Sequence, residues 1–187
     1  MIGNKMNDTN FYDFGGMTGG AFSFQMSGIG DMINDFLDDT TFFASYAWSK
    51  SDPDAGKSMM GSTKKETGAS YWFGLQIPVY LVEGDRLGFE YNHGDKYWRS
   101  FTYGEDTLAG SKLATRGNAV EVYYNMPLID KALTAQIRYT KMTYDYTGSN
   151  GFFGDYGAPT EISKITTGKG NYVEKAQIIR AYLRYSY

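Results

Sequence analysis

Seven times along the chain, apolar and polar residues alternate with a period of two, and this repetition constrains the fold more than any other feature. A period of two marks a strand with unlike faces, because successive side chains point to opposite sides of a sheet. The segments lie at about Ala21–Ser27, Thr41–Ser49, Ser70–Pro78, Arg86–Gly94, Asn118–Met126, Leu133–Tyr146 and Val173–Tyr187. In the first, Phe22, Phe24 and Met26 alternate with Ser23, Gln25 and Ser27; in the third, Tyr71, Phe73, Leu75 and Ile77 alternate with Ser70, Trp72, Gly74 and Gln76. Beyond Lys141 the aromatic residues Tyr144 and Tyr146 change parity, which predicts a bulge or the end of the apolar band there. Between the first two segments Met32, Ile33, Phe36 and Leu37 recur at helical spacing, predicting one or two turns of helix.

The fold class is therefore all-β, and the expected architecture is an antiparallel transmembrane β-barrel of which these are about seven strands. One parity carries Arg86, Glu90, Glu121, Arg138, Arg180 and Arg184, while the other carries aromatic and aliphatic residues with almost no charge. A lipid-facing wall must be apolar, whereas a water-filled lumen tolerates charge. The connections alternate in length as well: 50–68, 95–115 and 147–171 are long and polar, 79–85 and 127–131 short. Long loops at one end and tight turns at the other are the layout of an outer-membrane barrel. The negative mean hydropathy of −0.45 is no objection, because only every second residue of such a strand meets lipid. Tyr71, Tyr91, Tyr124, Tyr185 and Tyr187 fall near strand ends, where an amphipathic ring sits at headgroup level. A soluble barrel with the aromatic face inside satisfies the same alternation, so that reading stays open.

Residues 20–187 form the strand region, with 1–19 as a surface loop or N-terminal extension. Met1 to Lys5 has no apolar run of the kind that opens a signal peptide. Seven strands is odd, where bacterial single-chain barrels carry even numbers. Both observations predict that the chain is part of a larger barrel.

Other chemistry finds little support. The chain has no cysteine, which excludes a disulfide framework, thiol chemistry and cysteine zinc clusters. A net charge of −3 gives a nucleic-acid partner no electrostatic footing. No nucleophile elbow, phosphate loop or zinc-protease helix is present, and the expectation is a protein that is not an enzyme and takes no cofactor or metal. Glu90 and Glu121 are the inward carboxylates, and their arginine-rich surround suits pairing better than acid–base work. The single histidine, His93, reads as interfacial packing. Asp31, Asp35, Asp38 and Asp39 lack calcium-loop spacing and read as a solvated turn. Gly15-Gly16 and Gly19-Gly20 read as flexible loop. The loop cluster Tyr97, Trp98, Phe101 and Tyr103 either packs on itself or binds a sugar or other ligand at the cell surface.

The C-terminal run Ala181-Tyr182-Leu183-Arg184-Tyr185-Ser186-Tyr187 resembles the terminal signature of outer-membrane barrels, which end on an aromatic residue preceded by apolar residues at alternate positions. That resemblance implies that Tyr187, Tyr185 and Leu183 form a signal for the barrel-assembly machinery. A second likeness covers about Arg86 to Gly157. The stretch from Leu87 to Trp98, with Lys112–Gly117 and Tyr144–Ser149, is similar to the C-terminal region of an uncharacterised family of Gram-negative outer-membrane porins. That family is a domain of unknown function whose members are longer than this chain, and it brings no catalytic or binding residues.

The expected function is a porin-like channel for small hydrophilic solutes in the outer membrane. Arg86, Glu90, Glu121, Arg138, Arg180 and Arg184 would line the pore, with membrane lipid and the assembly machinery as partners. Arg180 and Arg184 share one face of the last strand, which predicts a positive stripe and a mild preference for anions. The alternatives are an anchoring or adhesive barrel acting through its loops, a lumen braced shut by Arg–Glu ladders, and a soluble barrel binding a small apolar ligand.

Overall fold

The computed structural model describes residues 13–28, 30, 33–101, 107, 109–129, 132–150, 157–166 and 172–186. The period-two segments form one antiparallel sheet: β1 (Gly15–Ser27), β2 (Thr41–Pro53), β3 (Thr67–Pro78), β4 (Arg86–Gly94), β5 (Gly117–Ile129), β6 (Leu133–Tyr144) and β7 (Lys175–Tyr185). Each strand pairs with its neighbours in chain order, giving a seven-stranded up-and-down meander. The sheet is not closed into a barrel. Because β1 and β7 are both odd-numbered members of an antiparallel meander, they run in the same direction. The two edges therefore cannot join each other in an antiparallel ladder.

Strand boundaries differ from the sequence reading mainly at one end. β1 starts at Gly15 and β2 runs on to Pro53, and the extra length pairs from Gly15↔Pro53 to Gly19↔Ser49. Glycine and lysine carry no alternation signal, so this extension is written in backbone hydrogen bonds alone. The predicted helix is α1 (Asp35–Asp38), started by Asn34, whose side chain accepts from the Leu37 amide at 2.8 Å. Met32 and Asp31 lie outside the described residues. The bulge anticipated near Lys141 is absent: β6 stays in register with β5 from Tyr144 to Thr134. Tyr144 belongs instead to the charged face, where it is buried and donates its hydroxyl to the Ala109 carbonyl at 2.8 Å. The irregularity falls between Pro127 and Ile129, where proline has no amide to give to the ladder.

The register sorts residues into two unlike faces. One is aromatic: Met26, Phe42, Leu75, Phe89, Val122 and Tyr139 form a single row across six strands. This face is open, with Phe22 at 72%, Ile137 at 55% and Leu183 at 74% exposure. The other face carries the charges and is covered over the middle strands, β3 to β6. Its row Gly74, Glu90, Glu121 and Thr140 includes Glu121 at 1% exposure. The described parts of the two connections, 95–101, 109–116, 145–150 and 157–166, supply residues that fold back over it. A small core of Ala119, Met142 and Tyr144, with Ala109, Ile162 and Ile178 packed against it, lies beneath them. Gly94 allows the close approach, since a Cβ there would stand 2.6 Å from Cδ1 of Trp98. The usual arrangement of a water-soluble sheet is inverted here: apolar side chains are exposed and ionised ones are buried.

Candidate functional site

Glu90 of β4 and Glu121 of β5 stand directly opposite each other in the register. Like charges so placed on one face repel. The sequence resolves the conflict from outside the sheet. The connection after β4 carries a single 3-10 turn, Lys112–Ala114, started by the Ser111 hydroxyl accepting from the Leu113 amide. That turn drops Lys112 between the two carboxylates, with Nζ 2.5 Å from Glu90 Oε2 and 2.5 Å from Glu121 Oε1. The Lys112 side chain is 7% exposed.

The rest of the cluster completes the coordination of these carboxylates. Arg138 of β6 reaches Glu121 at 3.0 Å and Arg180 of β7 reaches it at 3.2 Å. The Thr140 hydroxyl donates to Glu121 Oε2 at 2.5 Å, and Trp72 Nε1 donates to Glu90 Oε2 at 2.9 Å. The Arg138 guanidinium also stacks 4.9 Å above the Tyr123 ring. Three cations thus face two carboxylates across four strands and one loop. A carboxylate saturated with donors is a poor base, so the arrangement fixes a charged wall and does not assemble an acid–base pair. Among the described residues no group of three or more metal ligands converges.

Above this cluster Arg116 ties the loops together. It is fully buried and donates to three carbonyls: Trp98 at 2.9 Å, Thr147 at 3.1 Å and Gly157 at 2.6 Å. Its Nη2 also contacts Met60 Sδ at 3.4 Å. One guanidinium therefore bonds the connections after β2, β4 and β6. Burial and the nearby Arg99 lower its pKa to about 10, which leaves it charged at neutral pH.

At the opposite end Asp85 organises the turn between β3 and β4. Its carboxylate accepts from the amides of Val79, Tyr80, Leu81 and Val82 at 2.9–3.3 Å and from the Tyr124 hydroxyl at 2.6 Å. Burial acts to raise the carboxyl, but these donors outweigh it and hold it below the usual carboxylate range.

Of the residues singled out from the sequence, Glu90, Glu121, Arg138 and Arg180 come together in one cluster. Arg86 does not join them: it pairs with Asp39 at 2.9 Å beside α1. Arg184 is exposed near the end of β7, bordering a hollow of about 240 Å³ with Asn125, Thr134 and Gln136. The Arg180–Arg184 stripe is therefore interrupted by the Glu121 pair. Leu183 and Tyr185 lie exposed on the open edge strand, and Tyr187 is outside the described residues. His93 stacks on Tyr71, ring centres 5.1 Å apart, with Nδ1 3.0 Å from Asn118 Oδ1. Of the aromatic loop cluster, Trp98 is buried and donates to the Leu113 carbonyl at 2.7 Å, while Phe101 is 61% exposed. Tyr103 lies outside the described residues.

Sequence reasoning missed Lys112, Arg99 and Arg116, because they sit in connections where no period assigns a face. One signal was present. Two inward glutamates at facing register positions demand a cation, and the loop joining their strands carries Lys112.

No curated protein and no solved structure matches the chain. Residues 3–187 match the family described as "Protein of unknown function (DUF3373)". With the match covering nearly its whole length, the chain belongs to that DUF3373 family.

Proposed function

We propose that this chain is part of an outer-membrane β-barrel and acts as a porin-like channel for small hydrophilic solutes. One observation carries the reading: the exposed face of the sheet is aromatic and aliphatic, while Glu90, Glu121, Arg138 and Arg180 lie on the opposite face beneath the Lys112 turn. An exposed apolar surface running across all seven strands is a liability in water and a requirement in lipid. The long connections at one end and the short ones at the other agree with this orientation. The parallel sense of β1 and β7 supports closure by an odd number of further antiparallel strands, which restores the even count of bacterial barrels. The Lys112 turn then narrows the lumen, and the slight excess of cations in its wall favours anions weakly.

A second reading draws on the same cluster. Glu90, Glu121, Lys112, Arg138 and Arg180 are densely paired, as a wall braced shut would require, and the barrel would then anchor or adhere through its loops. Conductance of the full-length protein in planar bilayers separates the two. The channel reading expects discrete conductance steps and a small anion-selective reversal potential under a KCl gradient. A protein that inserts without conducting would leave the braced barrel in its place.

A further inference from the structure

The loop between β4 and β5 shelters a cavity that the charged cluster does not use. It has a volume of about 380 Å³ and lies under Trp98 and Phe101, against the floor formed by Ala21, Ala47, Ser70 and Trp72. Phe101 closes it on the β1 side, its ring resting on Gly19. Among the described residues no charged side chain borders it. Its polar groups are largely engaged with each other: Ser70 Oγ donates to Asn92 Oδ1, and Asn92 Nδ2 donates to the Lys112 carbonyl. The indole N–H groups of Trp72 and Trp98 are committed as well, to Glu90 and Leu113. Beside the Ser45 and Ser100 hydroxyls, what faces the space is mainly ring carbon and methyl surface.

We propose that this cavity binds a neutral aromatic molecule of one or two fused rings. The size is right, because an engineered apolar cavity of about 150 Å³ holds benzene and ligand pockets begin near ~300 Å³. A charged ligand would meet no counter-charge among the described lining residues and lose its hydration. A sugar would bring several hydroxyls to a site with few polar groups, most of them already paired, leaving most of its hydroxyls unsatisfied. An aromatic ring asks only for the offset or edge contacts that Trp72, Trp98 and Phe101 offer. The inference rests on the geometry of this pocket and not on the channel reading, and a non-conducting barrel would carry it equally well.

The test uses the full chain, folded in detergent micelles, with Trp48→Phe in the background. Trp48 stands on the aromatic face of the sheet but also borders the cavity, so the substitution keeps a ring there and leaves Trp72 and Trp98 as the only indoles. The probe is 4-nitrotoluene, a neutral ring that quenches indole emission. We expect saturable quenching that removes more than half of the emission. Ala47→Leu, which fills the cavity, should weaken the apparent affinity at least tenfold. Phe101→Ala, a change in an exposed loop that leaves the sheet intact, should weaken it at least threefold and keeps the test open if Ala47→Leu does not fold. Maltose should leave the emission unchanged. Quenching that rises linearly with probe and is the same in the parent and both variants would overturn the proposal. So would a saturable response to maltose without one to 4-nitrotoluene.

Discussion

Replacing Lys112 with methionine removes a cation that touches both facing carboxylates while keeping most of the side-chain volume. Glu121 retains Arg138, Arg180 and Thr140, so the loss falls mainly on Glu90, which keeps the Trp72 indole. Removing one partner of a buried ion pair costs about 3–5 kcal/mol, because the other charge stays desolvated and uncompensated. With Glu121 still neutralised, the lower end applies, about 3 kcal/mol, or roughly a hundredfold in the folding equilibrium. Glu90→Gln alone leaves Lys112 paired with Glu121 and should cost less. In the double variant Lys112→Met, Glu90→Gln the orphaned charge is gone, and stability should return to within about 1 kcal/mol of the parent. Urea unfolding of protein refolded into lipid vesicles, followed by its tryptophan emission, measures all four corners of this cycle. A loss below about 1 kcal/mol for Lys112→Met, or a double variant whose loss equals the sum of the singles, would refute the assignment of Lys112 as the bridge.

Asp85→Asn tests the turn between β3 and β4. A carboxyl held below its unfolded value of about 3.9 stabilises the fold above that pH and loses the contribution as pH falls through the folded value. The urea midpoint of the parent should therefore drop on acidification below about pH 4, and the midpoint of Asp85→Asn, already lower at neutral pH, should fall less over that window. Arg116→Lys cannot span three carbonyls with a single ammonium, so limited proteolysis within 95–116 and 145–174 should accelerate at least tenfold while far-ultraviolet circular dichroism stays that of the parent. Gly88→Ala would place a Cβ 2.1 Å from Cζ of Tyr123; the overpacking should cost about 1–3 kcal/mol in the same unfolding assay.

The alternation from Phe22 to Leu183 was enough to assign every strand and its two faces, because a face that must meet a different medium leaves its mark at every second residue. β4 falls at Arg86–Gly94 in both readings, since apolar residues there run the full length of the strand. The strand extensions at Gly15–Gly20 and Lys50–Pro53 were illegible: they sit beyond the apolar band, where hydrogen bonding continues without any demand on side chains. The site was half legible. Glu90, Glu121, Arg138 and Arg180 obeyed the strand period, whereas Lys112 and Arg116 are brought in by loop geometry that no local rule encodes. Arg86 shows the converse, since its parity is right but its height on the sheet sends it to Asp39.

The central claim is that the aromatic face meets lipid and the charged face does not. The chain has no cysteine, so single cysteines carrying a nitroxide can be placed one at a time along β3 at Tyr71, Trp72, Phe73, Gly74, Leu75, Gln76 and Ile77 in the full-length protein in lipid vesicles. Collision with oxygen, which concentrates in the bilayer, is compared with collision with a water-soluble nickel chelate. The account expects a period of two, with Tyr71, Phe73, Leu75 and Ile77 accessible to oxygen and shielded from nickel, and Trp72, Gly74 and Gln76 shielded from lipid-phase oxygen. An absence of alternation, or nickel reaching the Phe73 and Leu75 positions as freely as oxygen, would contradict it.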